Sequence, residues 1–246
     1  MLNKFRQTLY DWRRKRFGRY IIQNPQPIAA AAPYTYYLPP TEFLEALAVG
    51  DIVKLIFESI PISYEYGAER MWVIVTERNG EDLVGTLDND PFDIPQLNAG
   101  DSVTFKTRDI IDIDWNDEAL EQRGLKKTRS SYWDRCMVDS VVVRDGVPVQ
   151  YVYREEPDLT QEGDKHPDSG WRIRGDVSLM TDAQCENESA DYIALGAVLN
   201  ADDSWLHLID SPVGSQFFKN PETDEFENRH IRIDLKMKTF EPTSNS

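Results

Sequence analysis

DSGWRIRGD, Asp168–Asp176, together with LIDSPVGSQFF, Leu208–Phe218, decides how the second half of this chain is read. Each stretch joins a Gly-containing turn to bulky apolar residues and an acidic side chain, so that a tight turn holds an exposed carboxylate beside a buried ring. No reaction follows from that combination alone. On the N-terminal side, Met137–Val143 and Val147–Tyr153 are β-rich runs separated by Asp145-Gly146, which predicts a hairpin, and Pro148 marks its second member as an edge strand. Glu155–Pro167 is a loop rich in Asp, Glu, Gly and Pro that delivers the chain to DSGW. On the C-terminal side, Tyr192–Leu199 reads as a strand. Asp202 reads as the cap of a short helix carrying Trp205, Leu208 and Ile209 at i, i+3 and i+4. Gln216–Lys219 and Glu225–Asn228 read as a closing hairpin across Asn220-Pro221.

The first half has its own punctuation. Thr41 starts a short helix through Leu47, and Gly50-Asp51 turns the chain into a strand at Ile52–Phe57. In Glu69–Arg78, ERMWVIVTER, Met71, Val73 and Val75 alternate with Trp72, Ile74 and Thr76, as in a strand with two distinct faces. Asn79-Gly80 is a tight-hairpin signal before Asp82–Leu87, and Gly100-Asp101 introduces Val103 and Phe105. Short strands with frequent turns predict a small antiparallel, SH3-like barrel. These signals divide the chain into a basic helix and Pro/Ala-rich arm at 1–40, a small β-barrel-like domain at 41–115 and a linker or bridging helix at 116–133. An α+β domain at 134–238 and a disordered tail at 239–246 follow. The fold class is α+β, mostly antiparallel β.

Among the 246 residues, 27 basic and 43 acidic side chains give a formal charge of −16, which disfavours a nucleic-acid binder and favours a basic partner or simple solubility. The acidic residues concentrate: twelve acidic against two basic between 81 and 121, and thirteen against three between 155 and 203. Residues 1–20 reverse the sign, with Lys4, Arg6, Arg13, Arg14, Lys15, Arg16 and Arg19 against Asp11. There Phe5, Leu9 and Trp12 recur at i, i+4 and i+7, giving a helix an apolar stripe with a basic flank. Such a helix either packs on this protein's own acidic body or meets a membrane surface or nucleic acid.

Catalytic signals are sparse. Asp88, Asp90 and Asp93 lie close together in LDNDPFDIP, but Pro91 and Phe92 occupy positions where a calcium loop needs oxygen ligands, so the segment reads as an Asp/Asn turn. His166, His207 and His230 form no HxH or HExxH pattern, and Cys136 and Cys185 have neither zinc spacing nor a disulfide framework. No GxSxG, Walker or GxGxxG pattern occurs. The expectation is a non-enzyme without cofactor or metal. With no apolar run of membrane-spanning length and no leader-like h-region, the expected compartment is the cytoplasm.

The valine-rich run with YVYREEPD (Tyr151–Asp158), then DSGWRIRGD, then LIDSPVGSQFF, closely resembles a bacterial immunity-protein family, numbered thirty-three, found in polymorphic-toxin and contact-dependent secretion loci. The resemblance covers about 134–230. Ile173 and Val177 stand where that family has an aromatic and an acidic residue. Gly67–Phe105, with its ERMWV strand, LDNDP turn and GDxV turn, resembles a second bacterial domain of unknown function.

The resemblance implies an immunity protein that neutralises a cognate antibacterial toxin, a nuclease or type VI effector among the options, by stoichiometric occlusion. The expected partner has a basic surface; direct nucleic-acid binding and stable membrane insertion are not expected. Candidate partner-binding residues are Asp88, Asp90, Asp158, Asp164, Asp168, Trp171, Arg172, Asp182, Glu186, Glu188 and Asp210, with the acidic loops 155–167 and 177–191 as the toxin-facing segments. Asp168 and Asp210 also suit a plain role as turn acceptors. The alternatives are a peptide-binding adaptor and a hydrolase built on Asp88, Asp90 or His166.

Overall fold

The computed structural model describes residues 2–63, 65–116 and 131–228. Residues 117–130 of the linker or bridging helix expected at 116–133, His230 and the tail at 239–246 lie outside them. The chain divides into two compact units, 1–131 and 132–246.

The first unit contains helices α1 (Leu2–Phe17), α2 (Gln26–Ala31) and α3 (Thr41–Ala46). Its six strands are β1 (Arg19–Ile22), β2 (Ile52–Ile60), β3 (Ala68–Asn79), β4 (Asp82–Leu87), β5 (Ser102–Lys106) and β6 (Asp112–Asp114). They pair in the order β1-β2-β3-β4-β5, with β6 also on β2, in a nearly closed barrel-like sheet. All these pairings are antiparallel. Asn79-Gly80 makes the expected β3–β4 hairpin, with Asn79 opposite Asp82. Period-2 alternation carries the packing: Met71, Val73 and Val75 of β3 are buried with Val53, Leu55 and Phe57 of β2 and Leu83, Leu87, Val103 and Phe105 opposite. Each such side chain contributes about 1.5–3 kcal/mol by leaving water.

The Pro/Ala stretch differs from the expected extended arm. Arg19–Ile22 pairs with β2, and Gln26–Ala31 is helical, with Pro27 in the first turn, where its missing N–H costs nothing.

The second unit contains strands β7 (Arg135–Asp139), β8 (Val149–Arg154), β9 (Asp168–Gly175), β10 (Ala190–Ala194), β11 (Gln216–Lys219) and β12 (Phe226–Asn228). Its helices are α4 (Ser140–Asp145), α5 (Asp182–Glu186) and α6 (Leu195–Ala201). The sheet order is β10-β7-β9-β8-β11-β12. Among the described residues only the β7–β9 pairing is parallel. The fold is therefore α+β and mostly antiparallel, as expected, and the closing β11–β12 hairpin forms.

Three local expectations give way to tertiary contacts. The hairpin across Asp145-Gly146 does not form, because the valine run leaves β7 as α4, buries Val141 and Val142, and packs against α6. Gly146, at φ 70°, ends that helix in the left-handed conformation and donates its N–H to the Val141 carbonyl. Burial outweighs the β preference of valine here. Pro148 does not mark an edge, since β8 lies between β9 and β11 and the proline precedes its first ladder residue. Tyr192–Leu199 is a strand only to Ala194; Leu195, Val198 and Leu199 then share the buried face of α6.

The registers sort the second sheet's side chains. Cys136, Val138, Val152, Trp171, Ile173 and Phe217 share one face, and all are buried. That face meets α4, since a Cβ on Gly175 would stand 3.3 Å from Val142 and 3.4 Å from Val141. Trp171 lies 5.6 Å from Trp205 between ring centroids and donates its indole N–H to the Ile209 carbonyl at 3.2 Å. Asp202 does not open a helix; it follows α6, where its carboxylate accepts the Val149 N–H at 2.7 Å and the Ser204 N–H at 2.9 Å. The opposite face carries Met137, Arg172, Arg174, Tyr151, Tyr153, Gln216 and Phe218.

Candidate partner-binding surface

Alternation along DSGWRIRGD sends Trp171 and Ile173 into the core and Arg172 and Arg174 to the opposite face. Arg172 is nonetheless only 4% exposed, because the loop 155–167 folds over it. Its guanidinium grips Asp168 by two parallel bonds, at 3.0 Å to Oδ1 and 2.9 Å to Oδ2. It also donates to Asp158 at 3.0 Å, to the Trp171 carbonyl at 3.2 Å, and through Nε to Glu155. The five N–H groups of an arginine are thereby all used.

Asp168 is buried beneath this fork. Its carboxylate also accepts the N–H groups of Gly170 at 3.0 Å and of Asp158 and Leu159 at 3.3 Å. Burial pushes its pKa up, but the bonds from Arg172 and from the Gly170 and Leu159 amides outweigh that and hold it below the ordinary carboxylate value. The same geometry pins the loop. Glu155 N–H donates to the Gly170 carbonyl at 2.9 Å, and Asp168 N–H donates to the Thr160 hydroxyl at 2.8 Å. Gly170 has φ 80°, and a Cβ there would stand 2.2 Å from the Glu155 carbonyl oxygen, so only glycine fits.

Three carboxylates thus surround one guanidinium. Asp158 and Glu155 remain substantially exposed, and they form an acidic rim on the loop.

Beyond that loop the same sheet face opens into a groove of about 620 Å³, lined by Tyr151, Arg174, Val177, Gln216, Phe218 and Pro221 among others. Tyr151 stacks on Tyr153 with ring centroids 5.3 Å apart and lies 6.4 Å from the Phe218 ring. Its hydroxyl donates to Gln216 at 2.9 Å, and burial, then neighbouring Tyr153, pushes the phenol pKa up. Arg174 is anchored by Asp139 at 2.6 Å, which also accepts the Gly175 N–H at 3.1 Å. Val177, at the groove's edge, is 66% exposed, and Leu179 is similarly open. The groove thus offers exposed apolar area with polar groups at its edge.

Residues 136–230 match the Immunity protein Imm33 domain. Residues 43–123 match a second family, described as an uncharacterized protein conserved in bacteria, DUF2314. No curated protein and no solved structure matches the chain.

Within the matched segment 136–230, Asp168, Trp171 and Arg172 come together but are buried, so they build the surface from beneath. Asp158 joins them from the loop, while Asp164 accepts the Gln161 N–H at 2.8 Å in an exposed turn. Asp182 stands in the first turn of α5, Glu186 at its last residue, and Glu188 is half-buried just beyond. Asp210 is exposed. The first unit holds Asp88 and Asp90, both exposed, in a turn in which Asp90 accepts the Ala99 N–H at 2.9 Å. His166 lies in the other unit, its ring 6.0 Å from that of Trp133.

Burial, and next the charge of Asp168, push the Cys136 thiol pKa up, which keeps it protonated and makes it a packing residue. Among the described residues, no group of three His, Cys, Asp or Glu side chains is placed to hold a metal ion. Sequence reading missed Glu155 as a ligand of Arg172 and missed the groove altogether. The signal for the groove was YVY, whose two tyrosines at i and i+2 share one strand face.

Proposed function

We propose that this protein is an immunity protein that binds one cognate antibacterial toxin and neutralises it by occlusion in the cytoplasm. The match of residues 136–230 to the Imm33 domain carries this reading. The open sheet face supports it: the groove at Tyr151, Phe218 and Val177 supplies anchors, and the loop with Glu155 and Asp158 supplies an acidic rim. Desolvated aromatic anchors set how long such a complex lasts, while a charged rim sets how fast it forms. Occlusion needs no nucleophile. A toxin with a basic surface suits this charge, and nuclease effectors, whose substrate grooves attract phosphates, are the class that fits best.

Co-expression with the product of the adjacent gene tests the reading. Rescue of growth, a one-to-one complex and loss of toxin activity in proportion to added protein are expected. A non-toxic neighbour, or toxicity that persists despite soluble protein, overturns it. Affinity falling steeply between dilute and physiological salt is the expected mark of the acidic rim.

A further inference from the structure

Leu9 and Trp12, of the apolar stripe of helix α1, are not packed away. The helix is anchored to the rest of the first unit by polar contacts: Arg14, buried, donates to the Asp93 carboxylate at 3.1 Å, to the Asp93 carbonyl and to Ser59 at 3.4 Å. The Gln96 amide donates to the Arg14 carbonyl at 2.6 Å, and Tyr10 donates to the Ile62 carbonyl at 2.6 Å. Two residues of the stripe, and Phe17 at the end of the helix, are left open. Leu9 is exposed, Trp12 is 56% exposed and Phe17 is 70% exposed. Arg6, Arg13, Lys15 and Arg16 are exposed on the same helix, and Asp11 is its only acid.

We infer that α1 is a docking face for an anionic membrane surface, on which it lies flat with Leu9, Trp12 and Phe17 at the headgroup boundary and Arg13 and Arg16 on lipid phosphates. Two observations select this occupant. The helix is basic within a chain of net charge −16, so its own surface is complementary to an anionic plane. Its exposed side chains combine that charge with apolar bulk, which a lipid interface satisfies and a phosphate backbone does not.

The ring geometry disfavours single-stranded nucleic acid. Trp12 and Phe17 meet edge to face, with centroids 5.8 Å apart and planes at 80°, and the Arg16 guanidinium sits 5.6 Å over the Phe17 ring. The faces on which bases would stack are partly occupied. A second copy of the same helix would bring like charges together. Among the described residues no helix is long and apolar enough to span a membrane, so the association is peripheral and, with one short anchor, reversible.

Co-sedimentation of the full chain with vesicles tests this, using phosphatidylcholine alone and phosphatidylcholine mixed with phosphatidylglycerol. Binding to the anionic vesicles at low salt, weakening at physiological salt and absent on phosphatidylcholine alone, is expected. R13E/R16E should lower the partition coefficient about tenfold or more. W12S/F17S should lower it too, with the far-ultraviolet spectrum and melting curve unchanged because both side chains are exposed. Arg14 stays in place in both variants, so the helix remains latched. Four outcomes overturn the inference. They are no binding of the parent chain at low salt, binding indifferent to both variants, duplex DNA that displaces the protein from vesicles at equal phosphate concentration, or a self-association that both variants abolish.

Discussion

Among the described residues each unit buries one arginine, and the two are served differently. Arg172 sits on a central strand, and its donors all find acceptors, with Asp168 sealed beneath it. Arg14 reaches its unit from a helix, pairs with the Asp93 carboxylate, and leaves its buried Nε without an acceptor. The first unit is held by alternating apolar strands, and its arginine only latches α1 onto a finished core. In the second, the sheet is covered by helices on one face, and the ion cluster organises the loop that covers part of the other. A buried charge is costly unless fully partnered, so the completeness of its hydrogen bonding tells which arginine the fold depends on.

Arg172→Met is the sharpest way to break that contrast. It leaves Asp168 buried without its cation and should destabilise the second unit by about 3–5 kcal/mol, seen as a lowered denaturant midpoint, with the first unit's transition unmoved. A loss similar to that of an exposed arginine would refute the organising role. The same cluster sets an acid dependence. Because the folded pKa of Asp168 is depressed, its stabilisation is fully present above the unfolded value of about 3.9 and is lost as pH falls through the lower folded value. Acid titration of the parent chain should show this loss, and Arg172→Met should not, since without the cation protonation of Asp168 relieves a buried charge.

Next in size, the double variant Tyr151→Ala/Phe218→Ala should weaken toxin binding by about 2–4 kcal/mol, chiefly through faster dissociation, as calorimetry and surface kinetics would report. Glu155→Gln/Asp158→Asn should instead slow association and flatten its salt dependence. Arg14→Met should cost about 1–3 kcal/mol in the first unit only, with faster amide exchange along α1. Smallest of all, Asp88→Asn and Asp90→Asn should change stability by no more than about 0.5 kcal/mol.

Legibility differed between the units for a physical reason. In the first, β3 and β4 follow one another through Asn79-Gly80, so local periodicity and turn chemistry coincide with the tertiary pairing. In the second, β7 pairs in parallel with β9 across a long crossover, and nothing within either segment records a partner so far along the chain. The valine run of α4 reads as a strand by preference and is helical by burial. The buried ring of DSGW was legible, and Trp171 takes that place; its carboxylate was expected exposed on a turn, whereas Asp168 is buried at the start of β9 because Arg172 and the loop close over it. Arg172 was singled out as a partner-facing residue, but its place at the buried centre of an ion cluster was not legible, because its loop ligands Glu155 and Asp158 look like solvated acids until the loop is closed. The stripe of α1 was visible as a pattern, but the side on which it would be used was not.

The tether of the loop 155–167 has a kinetic meaning. Its entry is bonded to Gly170, its middle to Asp168 through the Asp158 and Leu159 N–H groups and the Thr160 hydroxyl, and the Pro167 carbonyl at its exit accepts the Arg135 N–H at 2.8 Å. The segment that presents Glu155 and Asp158 is therefore ordered before any toxin arrives, and a complex formed through it would not have to freeze a wandering chain. Such preorganisation lowers the entropic cost of association and leaves more of the contact energy to appear as affinity. Capture of this kind is rigid-body docking, with an association rate set by charge and diffusion rather than by a folding step.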